Sequence, residues 1–124
     1  MMRCSAPFLA GLVGLIVACG GGYPEPRSQL TESEAALRAA EVAGAQDSPQ
    51  SALHLKRARE QIESGKALIE EGENERAKWV LRRAQADADL ALALATEEAQ
   101  RKRAAAAKEE LEQLQESMRR RGQQ

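Results

Sequence analysis

Aromatic side chains are nearly absent from this 124-residue chain: Phe8, Tyr23 and Trp79 are the whole supply. Histidine occurs once, at position 54, and cysteine twice, at positions 4 and 19. A chain so poor in imidazole and thiol offers no His/Cys metal centre and no nucleophile with its base, so the sequence assigns no catalytic residue, no metal ligand, no cofactor and no enzymatic activity. Apolar runs are scarce as well. The one stretch, Ala6 to Ala18, is too short to span a bilayer as a helix, and nothing later is apolar enough. Charge of neither sign dominates, with 18 Lys+Arg against 19 Asp+Glu, which argues against a nucleic-acid partner. From Ser28 onward Pro49 is the only proline, leaving little to interrupt long helices.

What the chain does have begins at its start. Arg3 precedes the apolar stretch and Ile16-Val17-Ala18-Cys19 closes it, the order of charge, apolar run and small residue that marks a secretory signal. A cysteine placed directly after Ala18 resembles the lipobox of bacterial lipoproteins. That resemblance implies that residues 1–18 form a signal peptide that is removed, that the Cys19 thiol carries diacylglycerol, and that the new amino terminus is acylated. Acyl chains contribute about 0.8 kcal/mol per buried methylene, so two or three of them anchor a protein to a membrane without a spanning helix. Cys4 leaves with the signal, and Cys19 then has no internal disulfide partner. Gly20 is not the aspartate associated with inner-membrane retention, so the resemblance implies the outer membrane, facing the periplasm. Residues 19–27, through Gly20-Gly21-Gly22-Tyr23-Pro24-Glu25-Pro26, read as anchor and flexible tether.

The rest is rich in alanine, glutamate, arginine, leucine and glutamine, the composition of long helices. Thr31 and Glu34 read as a capping box that opens a first helix near residue 31, ending at Gly44. Ser48-Pro49 places an N-cap before a proline at the first helical position, and Gly72 supplies a left-handed stop after Glu71. A third helix opens at Glu73 or Asn74 and meets no glycine or proline before Arg121.

Apolar spacing predicts the packing. Ala52, Leu55, Ala58, Ile62, Gly65 and Ile69 recur every three or four residues, and Ala77, Val80, Leu81, Ala84, Ala88, Ala91 and Ala95 match them on the third helix. The short turn at Gly72 makes the pair antiparallel. A second stripe, Trp79, Ala86, Leu90 and Leu94, is expected to be covered by Leu30, Leu37 and Ala40 of the first helix, with Trp79 buried. The fold class is therefore all-α: an antiparallel helical hairpin with a short first helix packed on it, making a three-helix unit over 28–95, and a long C-terminal helix protruding over 96–124. On that protrusion Ala104, Ala107, Leu111, Leu114 and Met118 form a seam with coiled-coil spacing, and Leu111, Leu114 and Met118 are the candidate partner-binding residues.

The segments Leu37-Arg38-Ala39-Ala40-Glu41-Val42-Ala43-Gly44-Ala45, Leu55-Lys56-Arg57-Ala58-Arg59, Glu70-Glu71-Gly72-Glu73-Asn74-Glu75-Arg76-Ala77 and Ala84-Gln85-Ala86-Asp87-Ala88-Asp89-Leu90-Ala91 resemble the bacterial envelope domain of unknown function 4398, over about residues 24 to 105. The resemblance implies a helical fold and an envelope location. Family members are short helical lipoproteins or the amino-terminal part of proteins ending in an OmpA-like peptidoglycan-binding domain, and the expectation for this chain is the short form. The family has no assigned activity, so no functional residues are carried over.

The remaining constellations read as surface. His54 has no Cys, Asp or Glu cluster facing it at metal spacing and reads as a helix-surface histidine, and Asp87 and Asp89 point in different directions. Glu97-Glu98 and Glu109-Glu110 pair with basic residues three or four positions away, and Arg119-Arg120-Arg121 complement the negative helix end. The expected function is that of a non-enzymatic outer-membrane lipoprotein, a helical spacer or adaptor that meets a helical protein partner or another copy in the periplasm. The alternative is a binding module for an anionic envelope component such as peptidoglycan or lipid, with no small-molecule substrate evident. The lipid acceptor is the Cys19 thiol, so Cys19→Ser is expected to abolish fatty-acid labelling of the protein in its own host; equal labelling of the variant overturns the anchor assignment.

Overall fold

Ser48 and Pro49 set the first fixed point of the structure, a computed structural model that describes residues 22–123. Ser48 is extended, its hydroxyl accepts from the Ser51 amide, and Pro49 occupies the first helical position. The four elements in chain order are α1, Arg27–Val42; a single 3-10 turn, Ala45–Asp47; α2, Pro49–Glu70; and α3, Asn74–Arg121. Among the described residues there is no strand, and the fold is all-α as expected.

Gly72 ends α2 as its sequence position predicts. It sits at φ 77°, its amide donates to the Ile69 carbonyl at 3.0 Å, and the Glu73 amide reaches the Leu68 carbonyl at 2.8 Å. These two bonds close the last turn and reverse the chain within two residues, making α2 and α3 antiparallel.

The seam between α2 and α3 is built by opposing large and small side chains. Both helices bury one residue every three or four: Ser51, Leu55, Ala58, Ile62 and Gly65 on α2, and Ala77, Leu81, Ala84, Ala88, Ala91 and Ala95 on α3. Leu81 lies over Gly65, so closely that a β-carbon on Gly65 would come within 2.6 Å of its side chain. Carried along the antiparallel pair at the common spacing, this register sets Ile62 against Ala84 and Leu55 against Ala91, with the small pairs Ala58–Ala88 and Ser51–Ala95 between and beyond them. The seam thus gains its depth from Leu55, Ile62 and Leu81, whose burial contributes roughly 2 kcal/mol each, and its narrowness from the residues opposite them. The expected stripes are borne out, except that Ala52, Ile69 and Val80 sit at the margin, half-buried.

Helix α1 differs from expectation at its start and in its placement. It begins at Arg27 rather than near residue 31, with no side-chain cap. Pro26 is buried, and its carbonyl already accepts from the Leu30 amide at 3.1 Å, so the helix is under way before Thr31 is reached. The Thr31 hydroxyl instead bonds back to the Arg27 carbonyl at 3.0 Å, and no capping box forms. The helix lies antiparallel to α2, joined to it by Glu34–Lys66 at 3.0 Å and Glu41–Arg59 at 2.6 Å. Its inner face carries Ser33 and Ala40, both fully buried, and Ala40 joins Ala45, Leu55, Ala91 and Ala95 in one cluster flanked by Leu37 and Leu92.

That placement leaves Trp79 outside. The indole is 56% exposed, with the Arg82 guanidinium 5.3 Å from its ring centre, and Ala86 and Leu90 are also exposed. The expected burial of Trp79 under α1 is therefore corrected. At 100° per residue Trp79 stands about 160° round the helix from Ala77. A single helix that touches both α2 and α3 must approach from the seam side, where small residues let it come close.

Gly65→Leu, and to a lesser degree Gly65→Ala, should lower the thermal midpoint, because the clash with Leu81 at about 1–3 kcal/mol exceeds the roughly 1 kcal/mol of helix propensity gained. Circular dichroism melts decide the matter, and Gly65→Ala should cost less when Leu81→Ala is already in place than it does in the parent.

Candidate functional site

The last buried residue of α3 is Ala95, yet the helix continues to Arg121, an overhang of about 40 Å at 1.5 Å per residue. From Gln100 onward the described side chains are exposed, apart from the half-exposed Ser117. The overhang stays helical through its own ion pairs: Glu97–Arg101 at 2.7 Å, Glu98–Lys102 at 3.6 Å, Lys108–Glu112 at 3.9 Å and Glu116–Arg120 at 3.1 Å. Most run with the acidic partner first, the order that also suits the helix dipole, and each contributes a few tenths of a kcal/mol.

Leu111, Leu114 and Met118 project from this overhang at 55%, 55% and 66% exposure. Ala104 and Ala107 continue the same face and are exposed too. Among the described residues no other element reaches them, and the hollow between Glu109, Glu112, Glu116 and Arg120 is lined by one helix alone. This surface is an apolar strip with charged flanks. Cys19, the candidate lipid acceptor, and the signal peptide lie outside the described residues.

A polar cluster that the sequence did not reveal joins α2 to α3. His54 Nδ1 lies 2.8 Å from Asp87 Oδ1, and Gln61 Nε2 donates to Asp87 Oδ2 at 2.9 Å. The expectation of a free surface histidine is corrected: His54 and Asp87 are about four-fifths buried, at 18% and 21% exposure. Their positions are 33 residues apart, and only the antiparallel pairing brings them level. Asp89 is exposed, as expected. Burial pushes the Asp87 carboxyl upward, but the hydrogen bonds from His54 and Gln61, with the charges of His54 and Arg57, outweigh it and hold the group below its ordinary value of 3.8. The Gln61 Oε1 atom is buried without a partner. Among the described residues no group of three His, Cys, Asp or Glu side chains is placed to hold a metal ion. The cluster's evident effect is to fix the register of α2 against α3.

At the other end of the molecule the Asn74 side chain donates to the Tyr23 carbonyl at 2.8 Å, tying the segment before α1 to the first turn of α3. The chain therefore enters the structure beside the start of α3, and the overhang points away from that entry.

Fold and surface together define an all-α protein, a helical hairpin braced by a third helix, with one helix extended well past its support. The model of the family described as Domain of unknown function (DUF4398) matches residues 28–107, and the chain belongs to that family. The match takes in α1, α2 and α3 as far as Ala107, twelve residues beyond the last buried position. Comparison with curated proteins and with solved structures finds no significant match.

The lowered Asp87 carboxyl gives stability that is present above pH 3.8 and is lost as the pH falls through the folded-state value. Asp87→Asn should therefore be less stable than the parent in urea at pH 7, with the difference shrinking towards pH 3. A difference independent of pH would show that the carboxylate charge does not stabilise the pair.

Proposed function

We propose that this protein is a non-enzymatic lipoprotein of the outer membrane, held by lipid on Cys19 and facing the periplasm, where it serves as a helical spacer and adaptor for a protein partner. The observation that carries the adaptor reading is the overhang, an apolar strip through Leu111, Leu114 and Met118 that the rest of the chain leaves exposed. Apolar side chains repeated at heptad spacing on a lone helix serve no packing within the chain, and their spacing suits another helix. With the expected tether of residues 19–27 held at Tyr23 beside the start of α3, the overhang would lie at the far end from a lipid on Cys19. Among the described residues no helix is long and apolar enough to cross a membrane, which agrees with attachment by lipid alone.

A binding module for an anionic envelope polymer or lipid headgroup finds less support. The basic runs it would use are largely engaged: Arg101 with Glu97, Lys102 with Glu98, and both Arg119 and Arg120 with Glu116.

Deleting residues 104–124 tests the adaptor reading. The truncated protein, expressed in its own envelope, should lose its crosslink to a partner protein while the melt of the three-helix unit stays nearly unchanged. If the truncation unfolds that unit, the overhang is part of the core and the reading fails. A crosslink that survives the deletion places docking elsewhere.

A further inference from the structure

The exposed strip does not begin on the overhang. Counting back from Met118 in the same heptad register leads through Leu111 and Ala104 along the outer face of α3 to Leu90, Ala86 and Trp79, and every a and d position from Trp79 to Met118 is exposed. We propose that this face pairs antiparallel with the same face of a second copy of the chain, centred between Glu97 and Gln100. The proposal rests on the adaptor reading in taking the overhang as a docking surface, and it names the partner.

The sequence of the strip is complementary to itself only in that orientation. Paired about its midpoint, it sets Trp79 against Met118, Arg83 against Leu114 and Ala86 against Leu111. The inner layers then bring Leu90 to Ala107, Ala93 to Ala104, and Glu97 to Gln100. Each is an a position facing a d position, as antiparallel helices require, and leucine meets alanine just as Leu55 and Leu81 meet Ala91 and Gly65 in the seam within the chain. The one charged residue opposite an apolar side chain is Arg83, whose long stem covers Leu114 while its head reaches water.

Parallel pairing fails on the same residues. It stacks Arg83 on Arg83 and Glu97 on Glu97, and it collects the alanines at 86, 93, 104 and 107 into layers with nothing to fill them. The flanks do not decide, since antiparallel pairing brings Asp87 towards Lys108 but Asp89 towards Glu110. The area is sufficient. A strip about 60 Å long and about 10 Å wide gives on the order of 600 Å² per copy, and the total of about 1,200 Å² is at the lower end for specific interfaces. Helices α1 and α2 do not obstruct it, because they occupy the opposite side of α3.

The test uses the full chain carrying Cys4→Ser and Cys19→Ser, so that introduced thiols are the only ones, in two versions with Ala93→Cys or Ala104→Cys. Both sites are exposed and leave the core untouched. At a chain concentration of ~1 mM, the upper range that linked sites experience, each version alone should remain monomeric on oxidation, since like positions lie well apart, whereas an equimolar mixture should form a disulfide-linked dimer. Adding Leu90→Asp to both versions should remove that dimer without changing the melt. Trp79, the sole tryptophan, should shift its emission to the blue as the concentration of the thiol-free chain rises. A dimer from either version alone means parallel or irregular contact and overturns the proposal. So does a mixture that stays monomeric while its melt matches the parent. In that last case the truncation of residues 104–124 separates the two readings: a partner crosslink lost with the overhang keeps the adaptor and discards self-pairing, and the absence of any such crosslink removes both.

Discussion

The close approach of α2 and α3 is the constraint on which the remaining structure depends. Glycine at position 65 lets Leu81 press against the backbone of α2, and the alanines along α3 hold that separation over the whole length of the hairpin. Once the axes are this near, short polar side chains on the two helices meet directly, which is why His54, Gln61 and Asp87 can bond across the pair without a bridging group. The narrow seam also leaves a shallow groove in which α1, with Ser33 and Ala40 on its inner face, can seat itself. Ser33 is fully buried there at little penalty, because its hydroxyl donates to the Leu30 carbonyl at 2.9 Å. A core of this kind holds few large side chains, and its stability comes from fit between backbones more than from the quantity of apolar surface removed from water.

Much of this was legible in the sequence wherever one local signal sufficed. Ser48-Pro49 and Gly72 each fix a helix end through backbone chemistry confined to a few residues, and the structure obeys both. The inner stripes could be read because periodicity along one helix is a property of that helix alone. The capping box at Thr31 was misleading for a related reason: the pattern was present, but buried Pro26 and its carbonyl had already started the helix, and an internal threonine bonds backward instead. Trp79 and His54 were misplaced because their surroundings are set by another element. Which side α1 takes depends on the groove made by two other helices, and the meeting of His54 with Asp87, 33 residues apart, depends on register across the turn at Gly72. Neither is encoded in the spacing of a single helix.

The two parts of α3 are held by different forces. Up to Ala95 the helix is supported by packing; beyond it, by hydrogen bonds along its own axis and by ion pairs between exposed side chains. Such pairs are screened by salt and contribute little individually, so the overhang is the least supported stretch of the three described helices. Membership of the DUF4398 family extends into this portion as far as Ala107, so the junction between supported and unsupported helix lies inside the shared domain.

An unsupported helix also separates two properties that are usually bound together, how far a surface is carried and which way it faces. Because no other element among the described residues packs on α3 beyond the hollow that Lys102 lines, residues added between Arg103 and Ala104 would leave the hairpin and α1 as they are. Seven of them would lengthen the reach by about 10 Å and turn the tip by only about 20°, whereas a single one would lengthen it by 1.5 Å and swing the tip through about 100°. The molecule thus behaves as a ruler graduated in heptads. Changes in length that respect the graduation preserve the bearing of its end, and those that do not turn it away from whatever it was facing.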